Sequence, residues 1–106
     1  HYSDNMPRPK KRRLVEIEPN ATYFKPRAIP LSELEEITLS VEEVEALRLR
    51  FLKGFSQEQA AKSMRISRPT FSRILYSAGK KVSDALINGK AIKIEGGIYK
   101  LKARRR

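Results

Sequence analysis

The stretch SQEQAAKSMRISRPTFSRILY, residues 56–76, decides the fold of this chain because it predicts two short helices joined by a tight turn. Ser56 and Gln59 have the spacing of a capping box at the start of one helix. Ser67 caps the next helix, and Pro69 falls in its first turn, where a missing N–H is tolerated. This pattern is typical of a helix-turn-helix, whose second helix lies in the major groove of DNA.

A helix is also predicted before this stretch. Ser40 and Glu43 fit a second capping box, and Gly54 suits the end of that helix. Its apolar positions recur every three or four residues and predict one buried stripe: Val41, Val44, Leu47 and Phe51. The glutamates near its start are expected in solvent, where they favour the positive end of the helix dipole: Glu35, Glu36, Glu42, Glu43 and Glu45. A patch that binds a partner is the alternative for them.

The helix that begins at Arg68 is predicted to reach about residue 87, where Asn88 and Gly89 end it. Its apolar stripe consists of Phe71, Ile74, Leu75, Ala78, Val82, Ala85 and Leu86. Outside the helices, residues 14–17 alternate as a short strand. Residues 18–30 contain three prolines and are expected to be irregular, with Tyr23, Phe24 and Ile29 packed on the core.

The C-terminal part, residues 91–101, reads as a β-hairpin around Gly96 and Gly97. The turn would set Ile94 opposite Tyr99, and Ile92 opposite Leu101. The expected fold is therefore mainly α: a three- or four-helix helix-turn-helix bundle with a C-terminal β-hairpin and basic flexible tails. The expected divisions are a disordered basic arm (1–13), a helix-turn-helix DNA-binding domain (14–90), the hairpin (91–101) and a basic tail (102–106). Residues 1–5 precede Met6, which has the character of a natural start, and no function is expected of these five residues.

The charge is strongly basic and unevenly placed. The chain has 23 Lys and Arg against 12 Asp and Glu, a net charge of +11. By segment, the net charge is +4 over residues 1–30, −3 over residues 31–55, +5 over residues 56–90 and +5 over residues 91–106. Such a balance predicts attraction to a polyanion, most simply nucleic acid.

The residues expected to read DNA bases lie in the N-terminal part of the third helix, which enters the groove: Arg68, Pro69, Ser72, Arg73 and Tyr76. At 100° per residue, Arg73 and Tyr76 point away from Phe71, and Pro69 and Ser72 flank them. Arginine pairs with guanine O6 and N7, and Pro69 suits a thymine methyl group. The residues expected to contact phosphate are Arg8, Lys10, Lys11, Arg12, Arg13, Ser56, Gln57, Thr70, Lys80 and Lys81. The alternatives are ordinary solvated arginines, a half-buried Tyr76, and a basic arm that enters the minor groove instead of clamping phosphate.

Other function classes find little support in the residues. The chain has no Cys, and His1 is its one His. Asp84 and Glu95 are isolated, and there is no Gly-rich phosphate loop, so we expect neither an enzyme nor a metal or cofactor. No apolar run approaches the roughly 20 residues of a membrane span, and no signal peptide is recognisable. A cytoplasmic, nucleoid-associated location is expected.

The segments RPKKRR, FKPRAIPLSELEEI and LSVEEVEALRLRFLKGFSQEQAAKSMRISRPTFSRILYSAGKKVSDALINGKAIKIEGG resemble a small prokaryotic family of uncharacterised proteins regarded as DNA-binding, the domain-of-unknown-function family 134. The similarity runs from Met6 to about Tyr99. Its helix-turn-helix is similar to the promoter-reading domain of sigma factors, which implies groove-reading positions at Arg68, Pro69, Ser72 and Arg73. Arg65 departs from the glycine often found in such turns.

The expected function is a sequence-specific transcriptional regulator that binds double-stranded DNA. A homodimer is expected, through the hairpin or the far half of the third helix. One alternative is a nonspecific architectural or RNA-binding protein driven by its basic tails. Another is an adaptor that binds RNA polymerase or another regulatory protein through the acidic segment of residues 33–45.

Overall fold

The structure, a computed structural model, describes residues 11–102. The expected mainly α bundle is wrong, because five strands in two sheets pack with three α-helices in a mixed α/β fold. The helices are α1 (Val41–Leu47), α2 (Gln57–Met64) and α3 (Arg68–Asn88). The strands are β1 (Arg13–Val15), β2 (Tyr23–Phe24), β3 (Glu36–Leu39), β4 (Ala91–Ile94) and β5 (Tyr99–Leu101). Leu31–Glu33 form a short 3₁₀ turn.

The predicted helix starts are confirmed at the level of individual hydrogen bonds. Ser40 and Glu43 form a complete capping box at α1, and Ser56 and Gln59 form another at α2. At α3 the Ser67 side chain accepts a hydrogen bond from the Thr70 amide. These bonds satisfy amides that have no partner inside a helix, so each start is fixed by nearby sequence.

A π-helical segment, Arg48–Leu52, continues α1 and changes which side chains reach the core. The Lys53 amide donates to the Arg48 carbonyl, five residues back, at 2.9 Å. This wider turn rotates the helix face. Leu49 is buried at 1% exposure, whereas Phe51, expected in the core stripe, is 66% exposed.

The predicted C-terminal hairpin is wrong, because β4 and β5 belong to different sheets. In the three-stranded sheet β4 lies between β2, antiparallel to it, and β3, parallel to it. In the two-stranded sheet β5 runs parallel to β1, with Val15 opposite Leu101.

The link between β4 and β5 explains why no hairpin closes. The Val41 amide donates to the Gly96 carbonyl at 3.1 Å. The Ile98 amide donates to the Glu42 carboxylate, 3.0 Å from Oε1. Gly97 has a φ of 114°, and a Cβ there would collide with Glu42 Oε1. The link is therefore bonded to the start of α1, and it separates the two strands.

Two core clusters meet along α3. The first lies among the helices and consists of Ala46, Leu49, Ala60, Ala61, Met64 and Phe71. The second lies against the strands and consists of Val15, Leu39, Val41, Ala78 and Ile94. The stripe predicted for α3 is buried at Phe71, Ala78 and Ala85, but Leu86 is 76% exposed. Tyr23 and Phe24, expected on the core, are exposed on the short edge strand β2.

Candidate nucleic-acid interface

A Schellman turn at Arg65 sets the angle between α2 and α3. The Ile66 amide donates to the Ala61 carbonyl at 3.0 Å, and the Arg65 amide donates to the Lys62 carbonyl at 3.1 Å. Arg65 has a φ of 55° and is the one non-glycine residue among residues 11–102 with a positive φ. Ile66 packs against the first core cluster. The unit formed by α2, this turn and α3 thus has the helix-turn-helix connection that the sequence predicts.

The five residues expected to read bases are all exposed on α3: Arg68, Pro69, Ser72, Arg73 and Tyr76. At about 100° per residue they span an arc of roughly 140°, with Arg73 and Tyr76 on the side away from buried Phe71 and Arg68 at the near edge, about 60° from it. Tyr76 is 75% exposed, which argues against the alternative of half-buried packing. The structure therefore brings the five side chains to one accessible surface, here called the α3 face.

The start of α3 carries a chain of side-chain hydrogen bonds. Ser67 Oγ donates to Thr70 Oγ1 at 2.9 Å, and Arg73 Nη2 donates to the same oxygen at 3.2 Å. Thr70 accepts both bonds, so its own O–H remains to donate. Arg73 uses one donor of its guanidinium in this way and remains exposed.

The residues expected to contact phosphate have different surroundings. Lys11, Arg12 and Lys80 are exposed. The Ser56 hydroxyl serves the α2 cap, and Gln57 and Thr70 are half-buried. Arg8 and Lys10 lie outside the described residues.

Arg13 and Lys81 make contacts within the protein. Arg13, expected in the flexible arm, begins β1 and is buried at 8% exposure. Lys81 Nζ lies 2.9 Å from Glu43 Oε1. Neither residue has the freely solvated side chain that the sequence suggested, because each packs beside a segment distant in the chain.

Buried carboxylates in α1 are the feature that sequence reasoning missed. Glu42, Glu43 and Glu45, expected in solvent, are all buried. Glu45 bonds to Arg48 at 2.9 Å, and the Arg48 Nη2 also bonds to Glu16 Oε1 at 2.8 Å. The capping box was a signal for Glu43, and the three-residue spacing to Arg48 was one for Glu45. No local pattern marks the bonds that Glu45 accepts from the Glu16 amide and Glu42 accepts from the Ile98 amide.

Glu43 ties α1 to α3 beside the α3 face. Burial acts to raise its pKa, but hydrogen bonds from Ser77 Oγ, the Ser40 amide and Lys81 outweigh burial, and the pKa of Glu43 lies below its ordinary value. Ser77 Oγ donates at 2.6 Å. Glu43 is therefore an ionised carboxylate with a structural role, since it joins α1 to α3. Because Glu42, Glu43 and Glu45 are buried, these three carboxylates do not form an exposed acidic patch that could bind a partner.

Comparison with known proteins gives a family for this chain. The family model described as "Protein of unknown function DUF134" matches residues 4–102. The chain belongs to the DUF134 family. A UPF0251 protein of Caldanaerobacter subterraneus subsp. tengcongensis is 62% identical over 96 residues, which cover 91% of this chain and 81% of that protein. A UPF0251 protein of Dehalococcoides mccartyi strain BAV1 is 60% identical over 99 residues, 93% of this chain and 85% of that protein.

A third UPF0251 protein, from Moorella thermoacetica, is 60% identical over 91% of this chain and 64% of its own length. The family is uncharacterised, so these DUF134 relatives supply no activity. No solved structure matches the chain. Within residues 11–102, no helix is long and apolar enough to cross a membrane. Over the same range, no three His, Cys, Asp or Glu side chains are grouped so that they could share a metal ion.

Proposed function

We propose that this DUF134 protein is a sequence-specific, double-stranded DNA-binding transcriptional regulator. The observation that carries the proposal is the α3 face, where two arginines, a proline, a serine and a tyrosine stand exposed on the first half of a helix that follows a tight turn. This is the arrangement in which a second helix enters the major groove with its N-terminal residues toward the base edges.

Within this proposal, Arg68 and Arg73 provide direct base readout. Both side chains are exposed, and neither forms an ion pair with a carboxylate in the described part of the chain. A guanidinium presents two parallel donors, which match O6 and N7 of guanine, and Arg73 has further donors besides the one that bonds to Thr70. Ser72 and Tyr76 supply hydroxyl groups on the same surface, and Pro69 supplies an apolar contact.

Sequence-independent affinity would come from contacts between DNA phosphates and the lysines and arginines around the α3 face. Exposed Lys80 lies one turn beyond Tyr76, and Lys11 and Arg12 precede β1. The net charge of +11 supports this electrostatic part, and it also supports the second candidate function, a nonspecific nucleic-acid-binding protein. A nonspecific binder would lose affinity with salt equally on every duplex.

A homodimer belongs to the same proposal, since two copies would double the DNA surface that one short module covers. With the hairpin absent, the far half of α3 remains as its surface. Leu86 and Ile87 are 76% and 80% exposed there. The symmetry of a selected DNA site tests this point, because a two-fold dimer reads two inverted half-sites. Nucleoid association would follow from DNA binding.

The test of the proposal is selection of bound fragments from random DNA at about 0.15 M salt. A recovered motif is expected, and its enrichment should be lost in Arg68→Ala. Arg27→Ala is the matched control, since Arg27 is an exposed arginine outside the α2–α3 unit. Selection of no motif by the unaltered protein would refute sequence-specific reading, and equal loss in both variants would indicate charge alone.

A further inference from the structure

A cavity of ≈ 590 Å³ lies between the N-terminal end of β1 and the start of α3. We call it the β1–α3 cavity. Its polar lining is cationic and hydroxylic: Lys11, Arg13, Arg65, Ser67, Thr70 and Arg73. Among the described residues, no Asp or Glu lines it. Four positive side chains around one opening therefore have no carboxylate there to neutralise them.

Arg13 is a largely buried arginine in the cavity lining. The residue is 8% exposed, and its Nη1 donates to the Lys11 carbonyl at 2.8 Å. Its Nε is buried and finds no hydrogen-bond partner among residues 11–102. The guanidinium thus has few acceptors of its own in the folded protein, and a negative group in the cavity would offset its positive charge.

The start of α3 adds to the same preference for an anion. The helix has 21 residues, and its first turn carries the positive end of the helix dipole. Thr70 accepts from Ser67 and Arg73, so its own O–H is left to donate. Ammonium, guanidinium and hydroxyl donors thus surround the cavity.

We propose that the β1–α3 cavity binds a phosphate group. A phosphate has several strong acceptor oxygens and a negative charge, and arginine forks match it through paired hydrogen bonds. The volume is ample for a phosphate with part of the molecule that carries it. The same chemistry suits a backbone phosphate of a duplex that lies across the α3 face and a phosphorylated small molecule.

The site goes beyond base reading, and it meets the α3 face at Arg73. This residue lines the cavity and is also one of the proposed base readers. An occupant that draws the Arg73 guanidinium into the cavity would change the guanidinium offered to DNA. The cavity therefore links phosphate binding to the reading surface through one shared side chain.

The first experiment needs no DNA. Amide resonances of the full chain are followed by NMR during titration with pyrophosphate, against sodium chloride at matched ionic strength. Saturable shifts are expected at residues 11–13 and 65–73. Arg65→Gly should raise the Kd about tenfold, as for loss of one hydrogen bond to a charged group. Lys62→Ala removes the same charge from an exposed position on α2 that does not line this cavity, and should change the Kd less than about twofold.

Shifts that sodium chloride reproduces, or equal weakening in both variants, would overturn the site. A second arm measures duplex binding by the same proteins. If a backbone phosphate fills the cavity, Arg65→Gly weakens duplex binding about tenfold and lowers the salt slope by about 1. If a small molecule occupies the cavity, Arg65→Gly binds pyrophosphate about tenfold more weakly but binds the duplex with unchanged affinity. Pyrophosphate binding without any duplex binding would refute the proposed DNA-binding function but would still support a phosphate site in the β1–α3 cavity.

Discussion

Replacing Arg65 separates a backbone effect from a charge effect at one position. Its φ of 55° lies in the left-handed region, where an L-residue costs about 1–2 kcal/mol. Glycine carries no such cost, but it loses about 0.5–1 kcal/mol more in conformational entropy on folding than alanine does. The difference spans about 0–1.5 kcal/mol, so Arg65→Gly is predicted to raise the free energy of unfolding by about 0.75 kcal/mol. In a domain of this size that corresponds to a Tm increase of roughly 3–6 °C.

Arg65→Ala is the matched variant, because it removes the same charge and keeps the backbone cost. Its stability should stay within about 0.5 kcal/mol of the unaltered protein. Both variants should bind pyrophosphate about tenfold more weakly, since both lack the guanidinium at the β1–α3 cavity. Far-UV circular dichroism during urea unfolding measures the stabilities, which suits a chain without tryptophan. An Arg65→Gly variant less stable than Arg65→Ala would refute the left-handed turn.

Further predictions concern DNA reading, acid stability and the link between the sheets. Arg73→Ala should cost about 1–3 kcal/mol at one base pair of the selected motif, whereas Lys80→Ala should weaken all duplexes alike, as measured by competition binding. Glu43→Gln should lower the free energy of unfolding by about 1–2 kcal/mol at pH 7, because an amide accepts weaker hydrogen bonds than a carboxylate. Since folding lowers the pKa of Glu43, its contribution is present above the unfolded pKa near 4.5 and is lost as the pH falls through the folded value. The gap between the two proteins should therefore shrink in urea titrations at pH 3, and a constant gap would contradict this. Gly97→Ala should destabilise the fold by more than about 1 kcal/mol, because the new methyl group meets Glu42 and the φ of 114° disfavours alanine; an unchanged urea midpoint would contradict it.

Features set by neighbours in the chain could be predicted from the sequence. The caps at Ser40, Ser56 and Ser67 follow from bonds that span three residues, and all three are present. The third helix was expected to end at about residue 87 and ends at Asn88. The exposure of the α3 face followed from the helical period once Phe71 was assigned to the core.

Features set by distant partners could not be predicted. Glu42 is buried because it bonds to Ile98, 56 residues away, and no local pattern announces that bond. The residues expected to form one hairpin instead join strands from near the start of the chain, and a strand of two to four residues has too short a pattern to reveal its partner. The π-helical segment shifted burial from Phe51 to Leu49 against a regular 3.6-residue period.

The pairing of β1 with β5 has a consequence for how the protein is made. During synthesis β1 leaves the ribosome well before α2 and α3, and the contacts between these two helices are local enough to form before β5 is made. Val15 and Leu39, in contrast, belong to a core cluster that is completed only when Ile94 has been made. Likewise, β1 cannot pair until β5, Tyr99–Leu101, has been made. Until β5 has been synthesised, the nascent chain therefore contains a complete α2–α3 pair whose apolar side toward the strands is still uncovered. Complete folding should therefore be slower than the formation of the helices, because the final step is the pairing of β5 with β1.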